Sequence, residues 1–114
     1  MDPATWGSDA DGIVIGALAA PPTAQLSISG ELDTHGASFL AEAIEALLKQ
    51  PVDTVRLDLE KVSFIDSAGL GGVLRARRAC AEAGVSLTVG ATSASVARLV
   101  ELAGVADLLA DGAS

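Results

Sequence analysis

A chain of 114 residues, half of them apolar and 3% aromatic, is long enough to bury one aliphatic core without disulfide or metal support. Its formal net charge of -8 argues against nonspecific binding to nucleic acid or to anionic membranes, both of which need a basic surface. The one cysteine, Cys80, excludes an internal disulfide and fits a reducing cytoplasm.

Residues 1–11 are small and acidic with a single Trp, and read as a flexible acidic tail ahead of a domain spanning 12–114. Ile13–Ala17 reads as a first strand. The apolar run from Gly12 to Ala20 ends in small residues, as a secretory leader does. It lacks a basic segment before it, with Asp2, Asp9 and Asp11 in that place, and it is too short to span a bilayer. Pro21-Pro22-Thr23 turns the chain into Gln25–Ser29, where Leu26 and Ile28 alternate with polar residues at the period of a strand.

After Gly30-Glu31-Leu32-Asp33, the residues Leu40, Ala43, Ile44, Leu47 and Leu48 form the apolar stripe of a helix that Pro51 stops. Thr54–Leu59 alternates as a strand, and Val62–Ile65 continues extended to Asp66-Ser67. A helix then carries Leu70, Val73 and Leu74 on one face and ends at Gly84. Val85–Val89 is another strand. Thr92 or Ser93 caps a last helix bearing Val96, Leu99, Val100 and Ala103, closed by Gly104, with Val105, Leu108 and Leu109 packing back on the body. The order β-β-α-β-α-β-α predicts an α/β domain with a four- to five-stranded mixed sheet and helices mainly on one face. No internal repeat, charge block or low-complexity linker is evident.

Three strand-to-helix corners collect chemistry where α/β sheets usually bind: Leu32–Gly36, Asp66–Gly69 and Ala91–Ser95. Right-handed crossovers would bring Asp33, Ser67 and Thr92 or Ser93 onto one surface. Asp, Ser and Thr are also the ordinary helix caps, so Asp33 and Thr92 have that second reading. For Ser67, capping and switching are compatible: helix N-H groups that a serine caps also accommodate a phosphate. Gly69, Gly71 and Gly72 in one helical turn cost roughly 1 kcal/mol each against Ala and imply close backbone approach. Gly72 is assigned to internal packing and Gly69 to a partner contact. Arg75 and Arg78 lie on the polar side of the helix, where Arg78 and Glu82 are spaced to pair; both arginines are also candidates for a docking surface. Cys80, on the Val73 face, reads as a buried inert thiol.

Enzymatic readings fail on missing parts. Ser67 is not in the Gly-x-Ser-x-Gly hydrolase elbow, since residue 65 is Ile, and His35 is the sole candidate base. One His and one Cys provide no metal-ligand spacing, and no phosphate-binding Gly-x4-Gly-Lys loop is present. No catalytic residue, metal or cofactor is therefore assigned.

With Gly30-Glu31-Leu32-Asp33, then Leu57-Asp58-Leu59 leading into Phe64-Ile65-Asp66-Ser67-Ala68-Gly69-Leu70, and a tail from Val96 to Val105, the chain resembles a STAS domain of the stand-alone anti-sigma factor antagonist type over residues 13–111. The resemblance implies a partner-switching protein and no enzyme. Its partner would be an anti-sigma factor with serine-kinase activity. That kinase would phosphorylate Ser67 and thereby dissociate, a phosphatase would reset the serine, and sigma-dependent transcription would be the output. The expected partner surface comprises Asp33, Asp66, Ser67, Gly69, Arg75, Arg78 and Thr92, on a monomer or weak dimer without nucleic-acid or membrane contact. Two other readings keep the fold: a scaffold or lipid-transport subunit without sigma-factor role, and a small-ligand sensor.

Overall fold

The alternating apolar residues of the strands converge on one side of a single sheet. A computed structural model describes residues 2–105, with β1 at Ala4–Ser8, a 3-10 turn at Asp9–Asp11, β2 at Ile13–Ala20, β3 at Thr23–Leu32, α1 at Thr34–Leu47, β4 at Thr54–Ile65, α2 at Ser67–Glu82, β5 at Ser86–Thr92 and α3 at Ala94–Ala103. Strand order follows chain order, β1-β2-β3-β4-β5. The first three strands run antiparallel, while β3, β4 and β5 pair in parallel. Parallel neighbours require crossovers, and α1 and α2 supply them. The expected α/β class and mixed sheet are therefore present, with five strands.

Register explains the core. Ile15 lies opposite Ile28, Leu26 opposite Leu57, and Leu57 opposite Val89. All five are buried, as are Leu40, Ala43, Ile44 and Leu47 of α1 and Val73, Ala76 and Cys80 of α2. The helices thus cover one face, and Gln25, Arg56 and Leu18 on the other are exposed. No buried polar side chain interrupts the core among the described residues. Each fully buried Leu or Ile contributes about 1.5–3 kcal/mol, which is how an almost non-aromatic core suffices.

The tail expectation needs correction. Residues 4–8 form an edge strand paired with β2, Trp6 lying opposite Ile15 and packing against the core. Asp9 and Asp11 sit in the 3-10 turn after it, Asp2 precedes it, and Gly12 at φ 76 reverses the chain into β2. The element order is accordingly β-β-β-α-β-α-β-α. Thr54–Leu59 and Val62–Ile65 are one strand of 12 residues, interrupted by register shifts and not by a loop. Gly84, at φ 75, does follow the end of α2, and Val105 packs on the core. Leu108 and Leu109 lie outside the described residues.

Candidate functional site

Parallel pairing of β3 and β4 ends both strands together, Leu32 opposite Ile65. Each strand then enters a helix through the same chemistry. Asp33 is the N-cap of α1, its carboxylate accepting from Gly36 N–H at 3.0 Å. Asp66 is the N-cap of α2, its carboxylate accepting from Gly69 N–H at 2.8 Å. The two segments, Leu32-Asp33-Thr34-His35-Gly36 and Ile65-Asp66-Ser67-Ala68-Gly69, share an apolar-Asp-hydroxyl-x-Gly pattern. This local echo is only five residues long within otherwise unlike surroundings, too short to stand out as a repeat in the sequence.

The cap assignment at the second corner therefore changes. Asp66, not Ser67, satisfies the helix N–H groups, because a carboxylate is the stronger acceptor and sits one residue earlier, in extended conformation. Ser67 is the first residue of α2, exposed, and its hydroxyl has no hydrogen-bond partner among the described residues. The hydroxyl is thus available to an approaching protein without breaking any bond of its own domain. Asp66 and Asp33 are each half-buried, committed to their caps through one oxygen.

Gly69 has a different role from the one expected. It is buried, and a Cβ there would overlap the Leu32 carbonyl. The glycine lets α2 begin hard against β3, an internal contact, so it supports the corner from below. Gly72 is a packing glycine as expected, though against a helix: its Cβ would come 2.7 Å from that of Ala37 in α1. Ala37 and Gly72 bring the two helices into close contact.

Arg75 and Arg78 are both exposed. The Arg78–Glu82 pair is not formed; among the described residues the ion pair given by the geometry is His35–Asp11, 3.2 Å apart. Ser8 also donates to Asp11, at 2.9 Å, and these contacts, Ser8 first and His35 second, hold the Asp11 carboxyl below its ordinary range. His35 also meets Phe39 edge-on with ring centroids 4.8 Å apart. It is hydrogen-bonded to Asp11 and forms no bond to Ser67, so a Ser-His pair is not assembled.

Thr92 stands apart. It ends β5 opposite Leu59, and Ser93 N–H donates to the Leu59 carbonyl, whereas β4 continues six residues further to Ile65. At about 3.3 Å per residue this is on the order of 20 Å of extended chain. The extra length of β4 could not be read from the sequence, which split that strand. Ser93, not Thr92, caps α3, accepting from Val96 N–H at 3.2 Å. Thr92 thus lies back along β4 from the other two corners, while Ser95 at the start of α3 reaches the end of that strand, donating to the Ser63 carbonyl at 3.2 Å.

Two surfaces flank Ser67 that the sequence did not reveal. A groove of about 500 Å³ between α1 and α2 is walled by Thr34, Ala37, Ala41, Ala68, Gly72 and Arg75 among others. A smaller depression of about 240 Å³ is lined by Phe64, Ile65, Ser95, Arg98, Leu99 and Leu102. Phe64 is 47% and Leu102 75% exposed, high for large apolar side chains. Among the described residues no cluster of His, Cys, Asp and Glu is arranged to hold a metal. No helix there is long and apolar enough to cross a membrane.

Comparison with known proteins converges on this corner's fold. The family described as "Mlab, STAS domain" matches residues 16–110. The anti-sigma-B factor antagonist of Bacillus subtilis (strain 168) is 33% identical over 85 residues, covering 75% of this chain and 77% of the relative. An anti-sigma factor antagonist from Mycobacterium paratuberculosis superposes with a TM-score of 0.73 at 24% identity, covering 85% and 82% of the two chains. The anti-sigma factor antagonist SpoIIAA in its unphosphorylated form gives a TM-score of 0.67 at 25% identity, with coverage of 80% and 81%. A sheet of this order, two Asp-capped helices abutting at its carboxyl edge and a match over most of the length identify the chain as a member of the STAS domain family.

Proposed function

We propose that this protein is an anti-sigma factor antagonist whose binding is switched by phosphorylation of Ser67. The observation that carries the reading is the exposed, unbonded hydroxyl of Ser67 at the start of α2, beside two half-buried carboxylates. The relatives named as anti-sigma factor antagonists support the same role. In this reading the unphosphorylated chain occupies its anti-sigma factor and so frees the sigma factor, in the cytoplasm.

The partner is also a serine kinase. Ser67 Oγ attacks the γ-phosphorus of ATP, its proton passing to a base on the kinase. The new O–P bond forms as the bond to the β-phosphate oxygen breaks, and ADP leaves. A phosphatase reverses the state by hydrolysis to inorganic phosphate. The modification adds about -1.5 to -2 charge beside Asp66 and Asp33. Burying that density against a partner without compensating cations costs several kcal/mol, and the complex dissociates. Asp33 and Asp66 flank the serine on the proposed contact surface, Arg75 and Arg78 extend that surface along α2, and Gly69 holds the helix in place.

Incubation with the cognate kinase and ATP should add one phosphate, mapped to Ser67, and Ser67→Ala should abolish it. A Ser67→Asp chain that binds the partner as well as wild type would overturn the switch. Capture of a transporter ATPase in place of a kinase would favour the lipid-transport reading instead.

A further inference from the structure

We propose that Arg75 is a built-in counter-ion for phosphorylated Ser67, laid over Gly71 so that its guanidinium meets the new phosphate from within the same helix. This assignment rests on the Ser67 reading above. Ser67, Gly71 and Arg75 are spaced i, i+4 and i+8 in α2 and therefore share one face. The Arg75 side chain does not extend into solvent away from that face. Its Nη1 lies 3.2 Å from the point that a Gly71 Cβ would occupy, and its Nη2 lies 3.9 Å from the corresponding point at Gly72. The chain thus runs back along the helix, the direction in which helical side chains lean.

Gly71 makes that path available. Of the three glycines in this turn, Gly69 is required by the Leu32 carbonyl and Gly72 by Ala37. Gly71 faces only the Arg75 guanidinium, so the core gives no reason for it. A glycine that costs helix stability without relieving an internal clash is accounted for by what lies across it.

Residues four apart on a helix have Cβ atoms about 5–6 Å apart. The guanidinium over Gly71 is therefore about one turn from the Ser67 side chain, a gap that a phosphoryl group on Oγ would narrow. Arg75 makes no ion pair or hydrogen bond with another described residue, so its donors are available, and guanidinium–phosphate pairs are frequently bidentate. The other charged groups near this end are the N-caps Asp66 and Asp33 and His35, which contacts Asp11; Glu45 lines the groove further along α1. Arg78 lies on nearly the same face as Ser67 but about 16 Å along the axis, at 1.5 Å per residue. Capture by Arg75 would fix the phosphate on the surface, hold part of its charge within the chain, and withdraw a cation from the groove that Arg75 lines.

The test uses the full chain with phosphoserine placed at position 67 during translation, followed by phosphorus NMR titration at low salt. Arg75→Gln should raise the second pKa of the phosphate by roughly 0.2–0.7 unit, the range of an exposed charge pair. Arg75→Lys should give an intermediate value, and Arg78→Gln should leave it unchanged. Equal pKa values in wild type and Arg75→Gln would overturn the Arg75 assignment. Because the phosphate is installed without the kinase, that result is independent of the partner. Full-affinity binding of the phosphorylated chain to its anti-sigma factor would overturn the proposed function instead, whatever the titration gives.

Discussion

Gly69→Ala sets helix propensity against a collision, and the structure decides the sign. In a helix interior Ala is favoured over Gly by about 1 kcal/mol. At position 69 the added Cβ would overlap the Leu32 carbonyl, which is backbone of a central strand and cannot move aside. The first turn of α2 must lift instead. Overpacking of this kind costs about 1–3 kcal/mol. Displacement of Gly69 N–H from the Asp66 carboxylate costs about 1 kcal/mol more. The net expectation is a loss of about 1–3 kcal/mol, read as a fall of at least about 4 °C in Tm for a domain of this size. Gly71→Ala is the matched control, because its Cβ meets only the flexible tip of Arg75 at 3.2 Å and should raise stability by up to about 1 kcal/mol. Thermal and urea unfolding of the three proteins measure both effects. A Gly69→Ala chain as stable as wild type would refute the close approach of α2 to β3.

Two further outcomes follow from other parts of the fold. Trp6, half-buried opposite Ile15, should emit at shorter wavelength in the native chain than after urea unfolding; identical spectra would mean that β1 does not pair. Cys80 is buried and burial pushes its thiol up from the ordinary 9.0 to about 11. The folded chain then keeps a proton that the unfolded chain loses above about pH 9. Stability should hold below pH 9 and decline as pH rises toward 11, a slope that Cys80→Ala should flatten. A wild-type slope equal to that of the variant in urea unfolding would contradict the burial argument.

Much of this architecture is legible in the residue pattern. The period-2 runs at Leu26–Ile28 and Val55–Leu59 and the helical stripe from Leu40 to Leu47 bury the residues expected, with Leu48 half-buried at its end, because burial on one face is what sets those periods. Strand β1 was hidden by composition. Its five residues carry one aromatic and are followed at once by two aspartates, and a short edge strand draws its stability from the partner it pairs with. The unity of β4 was hidden for a related reason, since its register shifts break the alternation between Leu57 and Val62.

At the site, the sequence singled out the Asp66–Gly69 corner but exchanged the capping roles of Asp66 and Ser67 within it. Ser and Asp are both good caps, and only geometry shows the carboxylate of Asp66 in that position and the Ser67 hydroxyl left outside. Glycine identity signalled close approach at positions 69 and 72 without saying to what. Thr92 looked equivalent to Ser67 because both follow strands, but strand length is a tertiary outcome, and β5 stops opposite Leu59. The groove between α1 and α2 and the Phe64–Leu102 depression depend on how elements are placed against one another, which no local pattern encodes.

The central claim is that one hydroxyl governs association, and the affinity of the chain for its anti-sigma factor, with Ser67 free and phosphorylated, tests it most directly. Isothermal calorimetry at physiological salt should show tight binding of the unmodified chain. A penalty of about 3 kcal/mol for burying the added charge corresponds to a loss of about 150-fold in the phosphorylated chain. Equal affinities for the two forms would contradict the account.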